Sequence, residues 1–161
     1  MIIIIESPKG SAQKYTYDAD SNSLQLKKIL PAGMVFPYDF GLIPGTLGED
    51  GDPLDALLLN EYPTFPGCRV ECRLIGALRA FQAEGRNKKI RNDRFLFVND
   101  DSPVFSQLHT ITDIPSRLLT EIEWFFIQHH QQERKTFTIT GRIGREQADK
   151  MIKKSLQKSK T

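Results

Sequence analysis

The sequence predicts an α+β fold, and three observations carry that prediction. Short apolar runs broken by Pro, Gly and Asp fill the chain up to Ile114. Clear helical periodicity begins only at Pro115. Strands thus precede helices instead of alternating with them, which points away from a parallel βαβ sheet. A chain of 161 residues suggests one domain, 1–161, with enough apolar side chains for a real core.

The elements follow in order. Ile2–Ile5 is an apolar β-branched run and reads as a strand. Lys14–Tyr17 and Ser23–Leu30 flank the turn residues Asp20-Ser21-Asn22 and read as a hairpin. Residues 31–53 read as one long loop punctuated by Pro and Gly, a length that points to function. Leu54–Leu59, Arg69–Ile75, Ala77–Phe81 and Ile90–Val98 are further strands. Pro115–Gln132 is a helix with Leu118, Ile122, Phe125 and His129 on one face and Asp113 placed to cap its start. Thr136–Thr140 is a short strand, and Arg145–Lys158 is a basic amphipathic helix expected to lie solvated on the surface. Cys68 and Cys72, at i and i+4 of one strand, face the same way but too far apart to bond. They are expected to be free thiols in a reducing cytosol.

Composition excludes several functions. A net charge of +2 leaves no strong nucleic-acid footprint. An oligonucleotide-binding barrel would interleave aromatics with a basic groove, whereas the basic cluster here is the last helix. Met1–Ile5 is too short for the apolar region of a signal peptide and lacks a basic start. No run reaches transmembrane length. A cytoplasmic protein without a membrane partner is expected.

The chemistry concentrates in Glu49-Asp50-Gly51-Asp52-Pro53-Leu54-Asp55, followed at once by Ala56-Leu57-Leu58-Leu59. Acids at the mouth of a buried strand are suited to hard divalent cations such as Mg2+. Asp-Gly and Asp-Pro are also ordinary turn chemistry. An EF-hand is excluded: with Asp50 as the first loop position, Leu54 and Asp55 stand where a ligand and a glycine are needed.

The context of this loop narrows the reading. The stretch Val35–Leu47, the pattern Asp50-x-Asp52-Pro53-x-Asp55, Ile5-Glu6-Ser7-Pro8, Lys14-Tyr15, Pro63-x-x-Pro66-Gly67 and Phe125-Phe126 together resemble the family I (soluble) inorganic pyrophosphatases. The resemblance runs over nearly the whole chain. It implies an OB-like five-stranded β-barrel with flanking strands and two C-terminal helices. It implies Mg2+ as cofactor, with Mn2+ as a substitute, pyrophosphate or another phosphate-type anion as ligand, and a homo-oligomer. Carried over residue by residue, it makes Asp50 and Asp55 metal ligands, Asp52 the base that activates water, and Glu6 an aid to an outer metal. Lys14 and Lys89 match phosphate-binding lysines, and Lys28 stands where the family has Arg.

The departures cluster. Thr16 replaces a family Glu, Phe36 and Phe40 replace tyrosines, and His129-His130 replaces a Tyr-Lys pair. Gln82, Ala83 and Asn87 stand where the family has acids in D-E-x-x-x-D-x-K. His129 and His130 are expected either as core or rim histidines or as phosphate contacts in place of that pair. Two functions follow from the resemblance. The first is Mg-dependent hydrolysis of pyrophosphate with impaired activity, since the second acidic cluster is lost. The alternative is a non-catalytic phosphate- or anion-binding protein on the same scaffold.

Overall fold

The computed structural model describes residues 1–158, so the last three residues of the expected 1–161 unit lie outside the described residues. The strands are β1 (Ile2–Ser7), β2 (Gln13–Asp18), β3 (Ser23–Ile29), β4 (Asp39–Leu42), β5 (Asp55–Leu59), β6 (Arg69–Glu71), β7 (Arg73–Glu84), β8 (Ile90–Arg91), β9 (Arg94–Val98) and β10 (Lys135–Gly144). The helices are α1 (Ser116–Gln132) and α2 (Arg145–Lys158). One mixed sheet runs in the order β10-β7-β9-β5-β4-β1-β6, β8 pairs with β7, and β2-β3 form a separate hairpin. This is the OB-like α+β architecture with two helices late in the chain. No described helix is long and apolar enough to cross a membrane.

The centre of the sheet is the parallel pair β5/β9, in which Asp55 opposes Arg94 and Leu59 opposes Val98. Side chains of a strand alternate between faces, and both faces of this pair are covered. Leu57, Leu59, Leu96 and Val98 join one apolar cluster with Phe125 and Phe126 of α1. Ala56, Leu58, Phe95 and Phe97 join a second with Ala148 and Ile152 of α2. Strands buried on both sides read as unbroken apolar runs, and these two do.

Five sequence expectations change. The long loop 31–53 contains a strand: Phe40-Gly41-Leu42 pairs with both β1 and β5. Arg69–Ile75 and Ala77–Phe81 divide differently, because β7 runs through Gly76 on a register shift while the chain breaks at Cys72, between β6 and β7. Cys68 and Cys72 therefore do not share one strand; both thiols are free, with Cys72 buried. Ile90–Val98 splits at Asn92-Asp93, where the Asp93 carboxylate, not a strand partner, accepts the Ala80 N–H at 2.9 Å. Asp113 does not cap α1, whose N-cap is Pro115; it accepts the His109 and Thr110 N–H groups in a short 3-10 turn. Finally, α2 is not simply solvated. Ala148, Ile152 and Ser155 are buried, and the Ser155 hydroxyl accepts from the Leu47 N–H and donates to the Leu47 carbonyl.

Two irregularities aim side chains at one end of the sheet. The β1/β4 register shifts between Ile5 and Ser7, leaving Glu6 as the extra residue. The β2/β3 register shifts immediately after the pair Lys14 and Lys28. Bulges of this kind redirect a side chain out of the regular alternation. Between β1 and β4 the backbones approach so closely that a Cβ on Gly41 would overlap the Ile4 carbonyl. We expect Gly41→Ala to lower the unfolding free energy by about 3 kcal/mol, read from urea denaturation; a change within experimental error would remove the close approach as a constraint.

Candidate active site

The site grows from the turn that precedes β5. The Thr46 hydroxyl donates to the Ile43 carbonyl at 2.6 Å and accepts the Leu54 N–H at 2.9 Å, closing the base of the loop. The Gly48 N–H reaches the Asp52 carbonyl at 2.7 Å, and Gly51 adopts φ of 90°, a conformation glycine enters freely. Asp50 Oδ1 accepts the Asp52 N–H at 3.2 Å. The loop is thereby held as a rigid mouth with its carboxylates at the end of a buried strand.

These acids line a cavity of about 210 Å³ together with Glu6, Lys14, Thr16, Phe36, Phe40, Gln82, Asn92, Arg94, His129, His130, Glu133 and Lys135. The structure thus brings together Asp50, Asp52, Asp55, Glu6, Lys14, His129 and His130. Lys28 stands beside Lys14 across the hairpin and pairs with Glu133 at the cavity edge. Lys89 is exposed near β8 and does not line the cavity; neither do Ala83 and Asn87. Thr16 and Gln82 do line it, and Gln82 accepts a hydrogen bond from Asn92 at 2.9 Å.

Three charged residues enter without having been singled out from the sequence: Arg94, Glu133 and Lys135. Arg94 is 3% exposed, and its Nη1 lies 2.6 Å from Asp55 Oδ2. A local signal for it existed. Arg94 precedes the run Phe95–Val98 as Asp55 precedes Ala56–Leu59, and parallel pairing sets the two in register. Glu133 follows the end of α1 and collects cations: it pairs with Lys28 and lies 3.7 Å from Lys135 Nζ.

The electrostatics follow from burial and crowding. Burial raises the Glu6 carboxyl to about 7, against the stabilising Tyr17 N–H at 2.7 Å, and the charge of Asp55 adds to the rise. Burial also raises Asp50 and Asp55, with Arg94 pulling Asp55 back. Burial lowers Lys14, opposed by Glu133 and Asp55. At Glu133 burial acts upward, but the Lys28 hydrogen bond and the charges of Lys14 and Lys28 outweigh it and bring the carboxyl to about 2. Burial and neighbouring cations hold His129 and His130 at about 3. Both rings are therefore neutral near pH 7. His130 Nδ1 meets the Phe126 carbonyl at 2.8 Å and its ring stacks on Phe137, while His129 stacks on Phe125. The histidines belong to the core and also form one wall of the cavity; they supply no positive charge to it.

The donor set at the loop suits a hard divalent cation by type, since all its ligating atoms are carboxylate oxygens. Asp50 and Glu6 carry no ion pair among the described residues, whereas Asp55 is joined to Arg94. As arranged, no three His, Cys, Asp or Glu side chains among the described residues gather closely enough to hold a metal ion.

The profile of the family described as inorganic pyrophosphatase matches residues 3–160. The chain belongs to the inorganic pyrophosphatase family. It is 37% identical over 153 residues to an inorganic pyrophosphatase of Methanosarcina acetivorans, covering 95% of this chain and 88% of that one. It is 38% identical over 139 residues to one from Synechocystis, covering 86% and 79%. The crystal structure of the inorganic pyrophosphatase from Thermus thermophilus superposes with a TM-score of 0.89 at 32% identity, over 100% of this chain and 91% of that one. The Helicobacter pylori enzyme gives 0.90 at 27% identity, over 100% and 94%. Within this pyrophosphatase fold, the acidic loop, Lys14 and Arg94 line one cavity that Lys89 does not reach.

The neutral histidines make acid stability a test. In the unfolded chain a histidine returns to about 6.5. Its folded value lies lower, so the unfolded state binds more protons and stability falls as pH drops from about 6.5 towards 3. Glu6, raised to about 7, acts in the opposite sense, losing stability as pH rises from 4.5 to 7. We expect the His129→Asn/His130→Asn double variant to lose less stability than the parent between pH 6.5 and 5, by more than about 1 kcal/mol. Urea unfolding at the two pH values measures it; equal losses would mean the rings are not neutral in the fold.

Proposed function

We propose that this chain is an inorganic diphosphatase that hydrolyses pyrophosphate to phosphate. The observation that carries the reading is the meeting, in one cavity, of the Asp50-x-Asp52-Pro53-x-Asp55 mouth with Lys14, Arg94 and Lys135. Pyrophosphate is a dense anion, and its breakdown needs positioning, charge acceptance and an activated water.

Lys14 and Lys135 are placed to hold phosphoryl oxygens, with Lys28 at the cavity edge exchanging Glu133 for the substrate. Asp52, exposed and free of an ion pair among the described residues, accepts the proton of the attacking water. The water oxygen forms a bond to one phosphorus, the bridging P–O bond breaks, and its electron pair leaves with the second phosphate. A divalent cation, Mg2+ with Mn2+ as substitute, would be held by the carboxylates of Asp50 and Glu6, with Asp55 available only if its pair with Arg94 opened. Such an ion neutralises phosphoryl charge and acidifies water. Phe36 and Phe40 fill the cavity wall with stacked rings 5.4 Å apart and supply no hydroxyl to the substrate. Cytoplasmic location and a homo-oligomer complete the reading; Trp124, 62% exposed, and Ile127, 37% exposed, on α1 suit burial against another copy.

Phosphate release from pyrophosphate, with Mg2+, with Mn2+ and with EDTA, tests the proposal. Asp52→Asn should cut the rate by roughly 100-fold or more while leaving the thermal melt unchanged. A rate equal to the parent's would remove Asp52 as base, and no release with either metal would return the chain to anion binding alone.

We further propose that turnover is impaired by the missing acids of the cavity wall. Gln82 lines the cavity and Asn87 does not. Gln82→Asp should therefore raise the rate, whereas Asn87→Asp on the exposed turn should leave it unchanged. The opposite pattern would show that the β7–β8 turn closes over the substrate.

A further inference from the structure

The Arg94–Asp55 pair sits where the chemistry just described calls for a metal ligand. Arg94 is fixed independently of Asp55. Its Nη1 donates to the Asn92 and Asp93 carbonyls at 3.0 and 3.1 Å. Its guanidinium carbon lies 4.9 Å from the ring centres of both Phe126 and Phe137, and 6.0 Å from that of Phe40. Aromatic faces stabilise a desolvated cation, and a guanidinium keeps its charge at any physiological pH. Among the described residues, Nη2 approaches only the neutral His130, at 3.4 Å, and Nε is buried without a partner. A buried donor left unpaired costs stability, so these contacts do not read as those of an arginine kept for folding alone. What the group does is place a permanent positive charge on the Asp55 carboxylate, at the cavity wall.

We propose that Arg94 is the resident cation of this site: its guanidinium occupies the Asp55 carboxylate in place of a divalent metal, and the resting pocket binds fewer metal ions than its carboxylates would otherwise hold. A cation built into the chain neutralises Asp55 without being drawn from solution. It also repels a dication from the Asp55 side, leaving Asp50 and Glu6 as the resting entry point. The lost acids then have a counterpart: a wall that gives up carboxylates also gives up a metal, and Arg94 carries part of the charge that metal supplied.

The inference rests on the diphosphatase reading, but its test uses no turnover, so the two fail separately. Calorimetric titration of the whole chain with Mn2+ is compared with Arg94→Met, whose unbranched side chain suits the phenylalanine cage. The variant should bind Mn2+ about tenfold more tightly, or at one further site, and Asp55→Asn added to it should cancel the gain. Unchanged binding in Arg94→Met overturns the proposal. A second measurement covers a variant that binds but packs differently: crystals of parent and Arg94→Met are soaked in Mn2+ and the metal located by anomalous scattering. The proposal expects manganese on Asp55 in the variant and not in the parent. Manganese on Asp55 of the parent, or on Asp55 of neither, overturns it.

Discussion

The parallel pairing of β5 with β9 is the constraint on which the rest depends. Both strands are buried on both faces, so neither can slide by one residue without exposing an apolar set to the wrong side. That fixed register places Asp55 against Arg94 at the mouth of the sheet. A carboxylate and a guanidinium forced together at the edge of an apolar core have little water to screen them. Their mutual neutralisation then decides how much negative charge the neighbouring Asp50, Asp52 and Glu6 present to a ligand.

Around this pair, regular structure supplies rigidity and irregular structure supplies aim. Glu6 stands at a bulge, Lys14 beside another, and Glu133 just past a helix end. Each is a place where backbone periodicity is broken and a charged side chain escapes the apolar alternation. Helix α1 contributes differently. Its last turn packs His129 and His130 into the Phe125, Phe126 and Phe137 cluster, so the cavity wall there is aromatic and uncharged.

Much of this was legible from the residues. The acidic loop announced itself because three acids met an unbroken apolar run, and α1 because its spacing was helical. The hairpin around Asp20-Ser21-Asn22 followed from turn chemistry. Strand β4 was hidden because Pro and Gly flank it and its pairing is wholly non-local. Arg94 was missed although it heads its apolar run as Asp55 heads another: the acid it meets lies 39 positions earlier, and only the parallel pairing of the two runs brings them together. Lys89 was favoured because it matches a phosphate-binding lysine of the resembled family, but it lies on the exposed turn before β8 and does not line the cavity, and turns are where register is least fixed by pattern.

The close approach at Gly41 has a consequence for how this site can change over time. Where β1 nearly touches β4, no side chain can be inserted, so Glu6 and Phe40 are tied to an inflexible seam. Thr16 lies on the separate hairpin, Gln82 near the far end of β7, and the two histidines in the closing turn of α1. None of these three places is bound by that seam. Side chains can therefore be exchanged along the rim built by the hairpin, β7 and α1, while at the β1/β4 rim it is the backbone that is held in place, so charge and ligand preference can be retuned without disturbing that seam.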